Sequence, residues 1–508
     1  MRAVTRSLAP VITLRRVLHH LRWWRTGLLS PPLRWRANYR TLAALVFVAA
    51  PLSAQWTYPG VDQQLKKVDQ VAAKGPFQPA WSSLENNQAP EWFRDAKFGL
   101  FVHWGPTTLT VSQGLGHKES MAAFNPKGFD PAVWADLFRR TGAKFVVPVG
   151  EHHDGYAMYN ASFTDTSSVK MLPKRDFLAD LSAAIRKQGM IFGTSSHFEE
   201  HFWYFADPPL KSPPPPLVAR TTPDPRAIPP SEEFLKLWLA RVTDMVDKYH
   251  PQMFYFDWQI EQPAFQPYLQ KFAAYYYNRA AEWKQGVVLN RKYESFPENA
   301  GILDISVFTK RMTWDPAKVV HAPWQYDTMS TNNWFWRADV KFRPAPELLA
   351  EMADVVSKNG SYLLNFTPDG DGVFPEQTRN TMLAMGQWLS VNGEAIYGTR
   401  PWTVFGEGPT TGLGPAFGMV TGYTGKDIRF TTKKNTLYAI VLAPPAGNTL
   451  TIQSLAAASP LMKREISSVS ILGHKARTVW KRAADGLSLE LPAQTSLEYP
   501  LVVKVDQK

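Results

Sequence analysis

The chain has 508 residues, 44% of them hydrophobic and 13% aromatic, which is too apolar for a disordered protein and long enough for more than one folded domain. A formal charge of +12 would suit nucleic acid, but nine arginines and no Asp, Glu or Lys fall in residues 1–54, and without them about +3 is left. The nucleic-acid reading thereby loses its main support, and the lack of cysteine excludes disulfides and thiol catalysis.

In chain order, the basic leader runs into an apolar core from Leu42 to Pro51, followed by small residues up to Ala54. This pattern predicts a secretory signal peptide over 1–54, cleaved before Gln55 and too short to span a membrane comfortably. An uncleaved anchor is the alternative, and the long leader leaves room for a start later than Met1. Cleavage would give an exported protein, periplasmic or extracellular, with no stable membrane domain. Residues 55–90 read as a polar lead-in with a short helix.

From 91 to 400 buried strands alternate with amphipathic helices. Phe98 to Val102 is an apolar run closed by His103, Trp104 and Gly105. Phe145 to Val149 is another, closed by Glu151, His152, His153, Asp154 and Gly155. Uninterrupted apolar runs of this length predict strands covered on both faces. Met190 to Ser196 ends at His197, and Met253 to Phe256 ends at Asp257. Val287 to Asn290 and Tyr362 to Phe366 read as further strands; the units after Asn290 are less distinct. Helices are predicted over 131–140, 176–187, 232–249, 268–283, 347–358 and 376–391, and a proline-dense surface loop over 207–230. The alternation predicts a (β/α)8-type barrel. From 401 to 508 short runs of period two, separated by Gly, Pro or Asn, predict a C-terminal antiparallel β-sandwich.

Chemistry in such barrels gathers at the C-terminal ends of the strands. His103, His152, His153, His197 and Asp257 all fall there. A metal site is one reading. It is weakened because the histidines lie on different strands and adjacent ones would face opposite sides of a strand. The stronger reading is a polyhydroxyl site without metal or cofactor, with Asp257 as the nucleophile of a retaining glycosidase.

Lys97 to Pro106, Glu151 to Tyr156, Tyr255 to Asp257, Val355 to Asn365 and Asn392 to Trp402 together resemble the α-L-fucosidases of glycoside hydrolase family 29. The resemblance covers about residues 88–508. It implies a fucosylated glycan or oligosaccharide as substrate, a retaining mechanism without metal, and Asp257 as nucleophile. It also implies that His103, His152 and His153 bind fucose hydroxyls and that Tyr255 lines the sugar. Trp104, His197 and Arg291, beside these motifs at strand ends, complete the expected substrate-binding set.

Two departures stand out. The Glu-Trp-Tyr motif of many relatives is absent from 107–125, where Glu119 is the only stand-in. Ser306 occupies the position at which near relatives carry the acid/base Glu, and a serine hydroxyl has no usable acidity at neutral pH. Asp304, on the same strand face by parity, and Glu294 are the candidate acid/base residues, with Glu298 a further one. A glycan-binding protein with weak hydrolysis, or a glycosidase for a related sugar, are the alternatives.

Overall fold

The computed structural model describes residues 57–205, 229–292, 295–305, 319, 322–410, 422–492 and 498–508. The leader and its apolar core, nearly all of the proline-dense stretch, Glu294 and Ser306 lie outside them. No helix among the described residues is long and apolar enough to cross a membrane.

The lead-in is more helical than its polarity suggests. It contains α1 (Val61–Lys74) and α2 (Trp81–Leu84) before α3 (Glu91–Ala96). Val68 and Ala72 of α1 are buried, and Gln64 donates to the Thr243 hydroxyl, so this amphipathic helix is fixed to the barrel wall.

The first half of the barrel follows as β1 (Phe98–Val102), α4 (Pro106–Gln113), α5 (His117–Ala123), α6 (Pro131–Thr141), β2 (Phe145–Glu151), α7 (Phe177–Lys187), β3 (Ile191–Ser196), α8 (His201–Tyr204) and α9 (Glu232–Tyr249). The second half is β4 (Met253–Phe256), α10 (Gln266–Trp283), β5 (Val288–Lys292), β6 (Ile302–Asp304), β7 (Trp324–Met329), α11 (Ala345–Ser357), β8 (Gly360–Asn365) and α12 (Glu376–Asn392). The helices begin where capping chemistry places them. Asp130 accepts from Ala132 and Val133, Asp176 from Ala179, and Ser231 from Phe234, each occupying a free N–H of a first turn.

Strands β1 to β8 are parallel neighbours in sequence order, and β8 pairs back onto β1, closing the ring. Closure sorts side chains by parity. Phe101, Val147, Met253, Tyr255, Val288, Ile302 and Leu363 share one cluster inside the ring. Their neighbours Leu100, Val146, Phe254 and Leu289 join the larger core under the helices. Strand β2 breaks its own parity. Its register with β3 slips between Val149 and Glu151, a bulge that turns the Glu151 side chain out of the ring. There Glu151 meets Arg241 of α9 through two nitrogens, at 2.9 and 2.7 Å.

Strand β7 is the unit that the sequence hides, because Gln325 and Asp327 interrupt its apolar run. Beyond the barrel come β9 (Arg400–Glu407), β10 (Ile428–Lys433), β11 (Thr436–Val441), β12 (Thr449–Ile452), β13 (Ile466–Ile471), β14 (Trp480–Ala483), β15 (Gly486–Glu490) and β16 (Leu501–Gln507). They form antiparallel sheets ordered β13-β16-β11-β10-β9 and β12-β15-β14, with a core of their own between them. Arg429 of β10 reaches back to Asp354 of α11, where Lys358 also pairs, so a fully buried ion triad joins this region to the barrel.

Candidate active site

By parity His103, His197 and Asp257, each one residue beyond its strand, continue the inward rows of β1, β3 and β4. Asn365, at the end of β8, holds His103 through two contacts to its Oδ1, the backbone N–H at 3.1 Å and ring Nδ1 at 2.9 Å. Asn290 fixes the end of β4, accepting from the Phe256 N–H at 2.6 Å and donating to its carbonyl at 2.9 Å.

Asp257 is thereby aimed at its partners. Oδ2 lies 3.2 Å from His197 Nδ1, and Oδ1 accepts from the Trp258 N–H at 2.9 Å. The side chain keeps 26% exposure, so it borders open space. Burial alone would raise its pKa. The Lys292 ammonium and the His197 hydrogen bond outweigh that and hold the carboxyl well below the usual range. Glu199 supplies the opposite kind of acid. Its Oε1 accepts the Asp257 N–H at 2.7 Å, its Oε2 is enclosed and unpartnered, and burial holds it well above the usual range.

His152 and His153 follow the end of β2, so strand alternation no longer separates them. Their rings lie 4.3 Å apart, and His152 is 4.6 Å from the His197 ring. The two imidazoles therefore sit side by side and not on opposite faces of a strand, as alternation would have placed them. Gly155, at φ +79°, turns the chain tightly beneath them, and a Cβ there would meet the His201 ring at 2.8 Å. His201 Nδ1 in turn lies 2.7 Å from the His153 carbonyl. Burial is the main cause that lowers the pKa of His103 and of His153 to about 3, and it takes His152 well below the usual value, so these imidazoles are neutral. Ring nitrogens of His103, His152 and His197 lie within 4.8 Å of one another, as do side-chain atoms of His197, Glu200 and Asp257, a spacing that a divalent ion could also use.

Three expected substrate contacts lie elsewhere. Trp104 is turned out of the ring by parity, packs on Phe129 and Trp134, and donates to the Asp369 carbonyl. Tyr255 faces inward but lies one layer deeper, with its hydroxyl on Asp327 at 2.9 Å and its ring edge-on to Phe101. Arg291 alternates to the face of β5 opposite Lys292 and donates to the Phe296 carbonyl.

The candidate acids also separate. Asp304 does face inward, but its side chain is fully enclosed, with Oδ1 3.2 Å from Lys292 Nζ and Oδ2 2.8 Å from Gln325 Nε2. Both oxygens are engaged beneath Asp257, which removes it from the open side where a leaving group would sit. Glu298 lines a cavity of about 440 Å³ at the N-terminal ends of β5 and β6, the far end of the barrel. Glu119 is exposed and caps α5 by accepting from the Gly116 N–H. Of the acidic residues at the end of β2 and in the turn that follows, Glu151 serves the α9 ion pair. Asp154 accepts from Thr107 and Tyr156, and burial raises its pKa to about 6.

The remaining wall comes from residues without a motif. Trp334 and Phe335, between β7 and α11, lie 5.1 and 5.4 Å from the His103 ring. Tyr204 stacks on His153 at 4.4 Å, with Trp258 beyond it. Neutral imidazoles, aromatic faces and one ionised carboxylate at an open barrel mouth can bind a small polyol with an apolar face and attack an electrophilic carbon in it.

A family model described as alpha-L-fucosidase matches residues 64–394, and one described as the alpha-L-fucosidase C-terminal domain matches residues 423–505. The tissue alpha-L-fucosidase of Rattus norvegicus is 26% identical over 459 residues, covering 84% of this chain and 90% of that protein. The tissue alpha-L-fucosidase of Homo sapiens is 27% identical over 450 residues, covering 82% of this chain and 88% of that protein. The crystal structure of Thermotoga maritima alpha-fucosidase with a mechanism-based inhibitor superposes with a TM-score of 0.68 at 25% identity, over 85% of this chain and all of that one.

The neutral His103 has a consequence for stability. Between its folded pKa of about 3 and its ordinary 6.5 the unfolded chain binds a proton that the folded chain refuses. Its contribution therefore declines as pH falls through that window, by up to ~1.4 kcal/mol per pH unit. Urea unfolding of wild type and His103→Gln from neutral to acid pH should give curves that converge as pH drops; parallel curves would remove the assignment.

Proposed function

The chain belongs to the alpha-L-fucosidase family, and on that premise we propose that it hydrolyses terminal α-L-fucosyl residues of glycans by retaining double displacement. The observation that carries the reading is Asp257, an ionised carboxylate at the barrel mouth beside neutral imidazoles. In the first half-reaction Asp257 attacks the anomeric carbon as the glycosidic bond breaks and a protein acid protonates the leaving oxygen. In the second, water takes the place of the leaving group, the same group acts as base, and Asp257 returns as a carboxylate. His103, His152, His153 and His197 donate to and accept from the sugar hydroxyls, contacts that strengthen in the oxocarbenium-like transition state. Trp334, Phe335 and Tyr204 offer faces to the apolar side of the ring.

One set of measurements tests the two carboxyl roles. Asp257→Asn should lower turnover of an aryl α-L-fucoside about a thousandfold or more, because the covalent route is lost. Fucose released by the wild type should keep the α configuration in NMR at early times. Glu294→Gln should harm cleavage of a fucosylated disaccharide far more than that of the aryl fucoside, since a good leaving group needs little proton assistance. Asp304→Asn should harm both equally. Activity of Asp257→Asn within about tenfold of wild type, or an inverted product, would overturn the mechanism. Binding of fucose with no cleavage of either substrate by the wild type would make the chain a lectin on a hydrolase scaffold.

The histidines are read as hydroxyl partners because three of them, His103, His152 and His153, are neutral and enter from the ends of β1 and β2 around the carboxylate. A chelator should leave turnover unchanged; loss of activity restored by zinc would make the cluster a metal site.

Export is read from the apolar segment ending at Ala54. N-terminal sequencing of the protein from its own host should begin at or near Gln55, and recovery of chains starting at Met1 from the cytoplasm would refute it.

A further inference from the structure

Lys292 is the last residue of β5, and alternation turns it into the ring with Val288 and Asn290. Its ammonium lies 3.7 Å from Asp257 Oδ1, 3.2 Å from Asp304 Oδ1 and 3.5 Å from Asp327 Oδ1, so one cation faces carboxylates from β6, β7 and the end of β4. Lys292 is 6% exposed. A cation this enclosed is tolerated only when its charge is answered on several sides.

The three acids are not equivalent. Gln325 donates to the other oxygen of Asp304, and the Tyr255 hydroxyl to the other oxygen of Asp327, while both side chains are almost wholly enclosed. Asp257 is the one that borders open space. The ammonium is thus anchored from below by Asp304 and Asp327 and reaches Asp257 from inside the barrel. At 3.7 Å it attracts the carboxylate without claiming a short hydrogen bond. That leaves the oxygen able to form a bond to carbon.

We propose that Lys292 is the positioning residue of the nucleophile, an inner cation pinned by the Asp304–Asp327 pair that orients Asp257 and keeps it ionised. The assignment rests on the fucosidase reading and deepens it. When Asp257 becomes an ester its charge is consumed, yet Lys292 keeps Asp304 and Asp327 as partners and stays in place. The charge that returns on hydrolysis of the ester forms opposite a cation already positioned, with no reorganisation required.

Other ionisable groups also face Asp257. His103, His153 and His197 approach from the ends of β1, β2 and β3, with Glu199 and Glu200 in the turn that follows. Tyr255 and Asp327 lie beneath, where burial, then the adjacent Asp304 carboxylate, raises Asp327 well above the usual range. A carboxyl biased in this way toward its neutral form, as Asp327 is, adds less negative charge for a single lysine to answer.

The test measures kcat/KM on an aryl α-L-fucoside against pH for the full chain, its Lys292→Met and Lys292→Arg variants, and Asp257→Asn, with thermal melting of each. Lys292→Met should move the acid limb upward by about two pH units, with a loss that grows toward about a hundredfold on the acid side of the wild-type limb and shrinks near pH 8. Lys292→Arg should keep the limb within about half a unit, since the charge is retained. If Lys292→Met does not fold, Lys292→Met combined with Asp327→Asn removes one acid together with the cation and carries the same measurement. A folded Met variant whose loss is uniform across pH, or absent, overturns the positioning role. An inactive wild type or an active Asp257→Asn would instead sink the fucosidase reading itself, so the two failures are distinguishable.

Discussion

Side chains alternate along a strand, and closing eight strands into a ring makes each position either interior or exterior. The placing of His103, His197 and Asp257 depends on that constraint. His103, His197 and Asp257 reach the mouth because they continue inward rows. Trp104 and Arg291, each one residue from an inward side chain, face the other way and serve packing instead. The bulge at the end of β2 is the exception. It releases Glu151 from the interior, where another carboxylate would compete for the single lysine, and gives it to Arg241.

The interior is layered by charge. Its lower part is apolar, from Phe101 and Phe145 to Val288 and Leu363. Above it lies a polar layer of Tyr255, Lys292, Asp304, Gln325 and Asp327 that satisfies itself almost completely. The mouth comes last, with Asp257 and the histidines. Burial acts in opposite senses on these groups. It keeps imidazoles neutral by penalising the cation, and it would neutralise Asp257 too were Lys292 and His197 not beside it. Glu199, more deeply buried than Asp257, is pushed by that burial well above the usual carboxylate range.

Rigidity at the mouth comes from amide side chains as much as from the strands. Asn365 fixes His103, and Asn290 brackets the residue before Asp257, extending the strand ladder where backbone pairing ends. Preorganisation of this kind is what transition-state stabilisation requires, because groups held in place need not reorient as charge develops.

Much of this was legible in the sequence, for identifiable reasons. Long apolar runs ending in His103, His152 or Asp257 could only be buried strands with polar ends, so the barrel and its active rim followed from order alone. Helix starts at Asp176 and Ser231 were carried by local capping chemistry. Strand β7 was hidden because Gln325 and Asp327, the residues that make the polar layer, destroy its apolar pattern, and three-residue β6 is too short to carry one. Parity could be read from sequence, but not the depth of Tyr255 and Asp304 within the ring, nor the bulge that reverses Glu151. The link between Lys292 and its three acids was invisible for the same reason. Its partners lie on separate strands, and only closure of the ring brings them within reach of one ammonium.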